Sequence, residues 1–299
     1  MKIEKLDLPK PAIDFLLSEG FSKLYPPQAD CVDAGLLDGK SILVSAPTAS
    51  GKTLTAILAT ISYLSKNNGK VIYLSPLRAL AAEKFTEFKK LEKVELGKKI
   101  KVGISTGDFE NIEKNLEKND VIILTNEKMD SIIRHGAEWI DDIGLVIADE
   151  IHLIGDESRG PTLEMILTKL KLLVSKPQIV GLSATITNSN EIANWLDCTL
   201  VKNDWRPVPL SEGVYDAGEV VMNDGKKFKV EPSICGTPID LGVQSVKDGG
   251  QSLVFAETRT RSKALATKAA DVISQFLEKK ESDELEKISK KILSNNEHT

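Results

Sequence analysis

"LVSAPTASGKTLTAI", residues 43–57, decides how the rest of the chain is read. An apolar β-branched run ends at Ser45, a loop of small residues follows, and from about Gly51 the apolar spacing becomes helical. A helix that opens after such a loop offers unpaired backbone N–H groups and the positive end of its dipole, which together bind phosphate. The stretch resembles the loop pattern G-x-x-x-x-G-K-[ST] but has Ala46 where the first glycine belongs. On the phosphate reading, Gly51 permits close backbone approach, Lys52 brings a charge to the β- and γ-phosphates, and Thr53 brings a hydroxyl to Mg²⁺. The alternative is a lysine-bearing helix cap.

With that first run at 41–45, apolar runs lie at residues 71–75, 101–105, 121–125, 145–149 and 179–183. Each is too short for a helix and apolar on both faces, as strands of a buried parallel sheet are. Amphipathic stretches such as "LRALAAEKFTEFKKLE" separate them. The alternation predicts a doubly wound, mostly parallel α/β sheet, whose ligands bind at the carboxyl ends of the strands. A boundary is expected near "NDWRPVPLSEGV", giving domains at 1–204 and 205–299. Beyond it, "GEVVMNDGKKFKV" reads as a hairpin turning at Asn223-Asp224-Gly225. "QSLVFAETRTRSKALATKAADVISQFLEKK" then reads as strand, loop and helix, and the charged tail as a solvated helix. The second part is short for an α/β domain of about 100–150 residues, so it is expected to be truncated.

The chain has 299 residues, 41% of them hydrophobic and 28% charged, the balance of a soluble globular protein. It contains no run of about 18 apolar residues, so no membrane helix is expected. Its first residues lack the pattern of a signal peptide. Cys31, Cys198 and Cys235 form no pair motif and fit a reducing, cytoplasmic setting. A net charge of −5 means that contact with nucleic acid requires a local basic track.

Two more strand ends carry chemistry. "LVIADEIH" places Asp149 and Glu150 after an apolar strand; beside a phosphate loop, Asp149 can hold Mg²⁺ and Glu150 can deprotonate the attacking water. His152 follows on the same turn, and on its own reads as structural. "GLSAT" ends another strand with Ser183, Ala184 and Thr185, which alone are no more than helix-capping residues.

Their order along the chain resembles a known family. "APTASGKT", "DEIH" and "SAT" look like motifs I, II and III of superfamily 2 helicases, and "LYPPQ" at 24–28 is similar to their adenine-reading glutamine motif. "SPLRALAAEK" (75–84), "STGDF" (105–109) and "TNEKMDSIIR" (125–134) resemble the segments that track a single strand. "DESRGPTLE" (156–164) is similar to the superkiller-like branch, and "LVFAETRTRSKALA" (253–266) to a motif that opens a second RecA-like domain. The likeness runs over nearly the whole chain and is greatest to the archaeal DNA-repair helicases of that branch. It implies a RecA-like ATP-binding domain followed by the start of a second one.

It further implies an ATP- and Mg²⁺-dependent, 3′-to-5′ DNA helicase, monomeric, acting in repair or replication restart on single-stranded or forked DNA. The nucleotide would be held by Gln28, Ala46, Pro47, Thr48, Ala49, Ser50, Gly51, Lys52 and Thr53, with Thr53 and Asp149 on the metal. Lys52, Asp149, Glu150 and His152 would be catalytic, and Ser183, Ala184 and Thr185 would couple nucleotide state to the strand. Arg78, Thr106, Gly107, Thr125 and Arg134, with Thr258 and Arg259, would line the strand's path. Asn126 replaces the proline commoner in its motif, and no arginine-finger stretch "Q-x-x-G-R-x-G-R" occurs. The chain is therefore expected to bind nucleotide and hydrolyse it weakly. Alternatives are an RNA helicase of the same branch, a nucleotide-dependent binding module without unwinding, and a metabolic kinase with a phosphate loop.

Overall fold

The computed structural model describes residues 1–107, 116–230 and 236–296. The chain divides into two compact units, Met1–Val208 and Pro209–Thr299. The first unit runs past the expected boundary at 204; Asn203, just before it, and Trp205, just after it, are both tied to the unit's body. The Asn203 N–H donates to the Ser45 carbonyl (3.1 Å), its Nδ2 donates to Asp30 (2.6 Å), and Trp205 packs on Tyr25 with ring centroids 4.6 Å apart.

The first unit is built on a seven-stranded sheet in the order β3-β4-β2-β5-β6-β1-β7. The strands are β1 (Ile42–Ser45), β2 (Lys70–Ser75), β3 (Val102–Ser105), β4 (Val121–Thr125), β5 (Ile143–Ala148), β6 (Gln178–Ser183) and β7 (Thr199–Lys202). Every pairing is parallel. All six apolar runs form strands, whereas β7, with the pattern T-L-V-K, carries too little apolar character to be read. The helices are α1 (Lys10–Ser18), α2 (Pro26–Asp33), α3 (Lys52–Lys66), α4 (Arg78–Lys89), α5 (Asn126–His135), α6 (Gly160–Leu173) and α7 (Ser189–Leu196).

Successive strand residues point to opposite faces, so each strand feeds two cores. Val44, Tyr73, Ile123, Ile147 and Leu182 pack with Leu58, Ile61 and Phe88 on one face. Leu43, Ile72, Leu124, Val146 and Ile179 pack with Met129, Leu163 and Ile166 on the other. The register also aligns the carboxyl ends. Ser45 is level with Ser183, Ser75 with Thr125, and Leu74 with Ala148.

In the second unit, β8 (Gly213–Asp216), β9 (Glu219–Met222) and β10 (Lys227–Lys229) form an antiparallel sheet. The hairpin at residues 223–225 is present, with Gly225 at φ 84°. Helices α8 (Thr237–Lys247), α9 (Arg259–Ile273) and α10 (Lys279–Asn296) follow. The strand expected at "SLVFA" does not form. Residues 251–256 have no regular structure, and Leu253 and Phe255 are 79% and 86% exposed. A parallel strand needs flanking strands for its backbone groups and cover for its side chains. Among the described residues of this unit the only strands are the three antiparallel ones. The described part of the charged tail is, as expected, a helix, and its residues 281–294 are exposed.

Ile147 is fully buried on the central strand β5. Ile147→Ala should destabilise the first unit by about 2–5 kcal/mol, read as a lowered urea midpoint at unchanged slope.

Candidate nucleotide site and strand cleft

The loop after β1 is held at both ends. The Ala46 N–H donates to the Ser183 carbonyl (3.2 Å), and the Ser50 N–H donates to the Pro47 carbonyl (3.3 Å). Ala49 (φ 65°) and Gly51 (φ 84°) are left-handed, which curls the chain so that α3 begins at Lys52. A side chain at residue 51 has no room: a Cβ there would stand 2.1 Å from Gln28 Nε2. Lys52 bends back over the loop, donating to the Ala46 (2.9 Å) and Pro47 (3.1 Å) carbonyls. Burial pushes the Lys52 ammonium below its ordinary value; the charges of Glu150 and Asp149 pull it back up, and Arg206 pushes it down. Ser50 Oγ is buried without a hydrogen-bond partner among the described residues.

Asp149 follows β5 and is almost fully buried. Its Oδ2 accepts from the Tyr73 hydroxyl (2.6 Å), and its Oδ1 accepts from the Glu150 N–H (2.9 Å). Tyr73 is buried in mid-β2, edge-on to Phe88 at 5.2 Å. Burial, reinforced by the charge of Asp149, holds its phenol well above the ordinary tyrosine value, so the proton stays on the donor. Glu150 is left-handed (φ 48°, ψ 44°). For a non-glycine residue this costs about 1–3 kcal/mol and is found where the surroundings enforce it. His152 Nδ1 lies 3.3 Å from Glu150 Oε2, within ion-pair reach but without hydrogen-bond alignment. Ser183 is fully buried and donates to the Ala184 carbonyl (2.8 Å), while Thr185 is exposed.

Gln28 is 2% exposed and wedged against the loop. Its Oε1 accepts from the Tyr25 N–H (2.7 Å), and its Nε2 donates to the Gly51 carbonyl (3.0 Å). Beside it opens a cleft of about 440 Å³ lined by Phe15, Phe21, Tyr25, Gln28, Gly51 and Thr53, among others. Phe15 and Phe21 were not read from the sequence, since single aromatics near a helix end carry no pattern.

A second cleft of about 460 Å³ lies on the same sheet edge, lined by Arg78, Thr106, Gly107, Thr125 and Arg134. All five residues expected to meet a strand in this unit therefore come together. Pro76, Lys128 and Ser131 join them. Thr125 also caps α5, accepting from the Lys128 N–H (3.3 Å), and Asn126 starts that helix without a proline. Arg134 is paired with Asp130 (3.0 Å). Residues 108 and 109 of "STGDF" lie outside the described residues. Thr258 and Arg259 open α9 in the second unit, where Thr258 accepts from the Arg261 N–H (3.2 Å). Missed by the sequence reading were Tyr73, whose one signal is a hydroxyl inside the aliphatic "VIYLS", and Lys84, whose ammonium donates to Thr53 Oγ1 (3.1 Å).

A parallel sheet, a curled loop between β1 and α3, and a paired Asp-Glu at the end of β5 define a RecA-like nucleoside-triphosphatase fold. Residues 25–192 match the DEAD/DEAH box helicase family model, and the chain belongs to that family. It is 42% identical over 294 residues to the ATP-dependent DNA helicase Hel308 of Methanocella arvoryzae, covering 98% of this chain and 40% of that protein. To the protein of the same name from Pyrococcus horikoshii it is 43% identical over 295 residues, covering 99% and 40%. The chain thus spans about two fifths of these relatives. The helicase MrfA has a similar fold, with a TM-score of 0.69 at 21% identity over 90% of this chain and 41% of that one.

Tyr73→Phe removes the donor that holds a buried carboxylate. A hydrogen bond to a charged group contributes about 1.5–3 kcal/mol, so the variant's chemical-denaturation midpoint at pH 7 should fall accordingly.

Proposed function

We propose that this chain is the ATP-binding motor portion of a 3′-to-5′ DNA helicase that acts in repair or replication restart. The observation that carries the reading is the juxtaposition on one sheet edge of a curled loop with an orphaned buried hydroxyl and a basic cleft. The reading is supported by Gln28, Gly51 and Thr53 lining one cleft and Arg78, Thr106, Gly107, Thr125 and Arg134 lining the other.

The residues fit MgATP. Among the described residues Ser50 Oγ has no hydrogen-bond partner, Gly51 makes the left-handed turn that opens α3, and the Lys52 ammonium donates to two loop carbonyls. Thr53 and Asp149 would hold Mg²⁺, which when bound neutralises charge on the β- and γ-phosphates. Lys52 would leave the Ala46 and Pro47 carbonyls for phosphate oxygens. Glu150 would take the proton of the attacking water, and His152 beside it would orient that carboxylate. Phe15, Phe21 and Tyr25 would flank the base, with Gln28 reading its edge. The hydrogen bond from Ala46 to Ser183 ties the loop to "SAT", the segment proposed to report nucleotide state to the strand.

Arg78 and Arg134 would contact the phosphates of a single strand, with backbone and hydroxyl groups of Thr106, Gly107 and Thr125. Such contacts carry no base information, so binding would be independent of sequence. The second unit is proposed as part of a second RecA-like domain, with Thr258 and Arg259 as its own candidate strand contacts.

Fluorescent ATP binding in the presence of Mg²⁺ tests the nucleotide site. Lys52→Ala should weaken binding at least about tenfold, the effect of losing a charge-assisted phosphate contact. Glu150→Gln should keep binding while abolishing whatever hydrolysis the chain performs. Wild-type protein that does not bind MgATP would sink the proposal. Competition between single-stranded DNA and RNA of one sequence should favour DNA, and a clear RNA preference would move the assignment to an RNA helicase of the same branch.

A further inference from the structure

Lys84 is a lysine of α4 that is only 9% exposed. Its ammonium has three hydrogens, and three acceptors surround it: Thr53 Oγ1, Glu83 Oε1 and Glu87 Oε1, each at 3.1 Å. Thr53 is the residue assigned to the metal. Its hydroxyl has two acceptor lone pairs and can take one hydrogen bond without difficulty. A divalent cation on the same oxygen would face the ammonium across a few ångströms in a partly buried site, where screening is weak.

We propose that Lys84 is a positioning residue that holds the Thr53 hydroxyl when no nucleotide is bound and must be displaced from it when Mg²⁺ arrives. Glu83 and Glu87 are the receiving groups. They already share the ammonium, so Lys84 can give up Thr53 and remain paired. The residue therefore sets how much Mg²⁺ the nucleotide site requires. The proposal rests on the reading of Thr53 as a metal ligand.

The test is a MgCl₂ titration of the full chain at fixed N-methylanthraniloyl-ADP, read by fluorescence. The measured quantity is the Mg²⁺ concentration at half-maximal binding. Lys84→Gln should lower it at least about fivefold, the lower end of ordinary coupling between two sites. The exposed Lys89→Gln removes the same charge from the same helix without touching Thr53, and should leave the value in place. The double variant Glu83→Gln/Glu87→Gln removes the charge of Lys84's other two acceptors, favours its bond to Thr53 and should raise it. Because both glutamates are partly exposed, this variant keeps the test available should Lys84→Gln fail to fold. A Lys84→Gln value that is unchanged or higher, or a double variant that shifts downward, overturns the proposal. Wild-type chain that binds no ADP at any Mg²⁺ concentration overturns the nucleotide reading itself.

Discussion

Parallel pairing forces every carboxyl end of the first unit's sheet onto one edge, and the chemistry of the unit hangs on that constraint. Strands β1 to β7 end in Ser45, Ser75, Ser105, Thr125, Ala148, Ser183 and Lys202, and register sets Ser45 level with both Ser183 and Lys202. Apolar runs have to stop where the backbone leaves the sheet, because the next residues are the first that water or a ligand can reach. The loop at 46–51, the turn at 149–152 and the segment at 184–185 are therefore neighbours in space while lying about 30 to 130 residues apart in sequence. Register alone brings Ala46 to Ser183, so the loop and the "SAT" segment share a hydrogen bond.

The same constraint explains why Tyr73 matters. A residue on β2 that points to the α3–α4 face lies beneath the carboxyl edge, and its long side chain reaches Asp149 at the end of the adjacent strand β5. Asp149 is nearly buried, and a carboxylate in that position is stable only if its oxygens are hydrogen-bonded. Tyr73 and the Glu150 N–H supply those bonds. The Glu150 bond in turn is part of the left-handed turn at that residue. Strain at Glu150 and order at Asp149 are thus two sides of one local arrangement.

Much of this was legible in the sequence because period and punctuation are local. The six strands showed as β-branched runs, and α3 showed as a change of period after Gly51. The loop, the Asp-Glu pair and the five cleft residues were fixed by motif order. What escaped depended on three-dimensional neighbours. Strand β7 is short and half polar, and its place at the sheet edge comes from pairing with β1. Tyr73 and Lys84 acquire meaning only through partners on other elements. The run "SLVFA" was misread because apolar content reports a tendency to be buried, and burial needs a partner surface.

On the proposed reading, a chain with a net charge of −5 would face polyanions through local positive groups. Around the loop, positive character comes from fixed backbone amides and one anchored lysine, and acidic groups are kept close enough to act on Lys52. In the other cleft it comes from Arg78, Lys128 and Arg134 at helix positions over the sheet edge. Helix α4 touches both. It opens with Arg78 in one cleft and places Lys84 against Thr53 in the other, six residues along, a rise of about 9 Å. A rigid helix of that length cannot shift at one end without moving the other. On the proposed reading, one helix therefore carries a group at each of the two ligand sites.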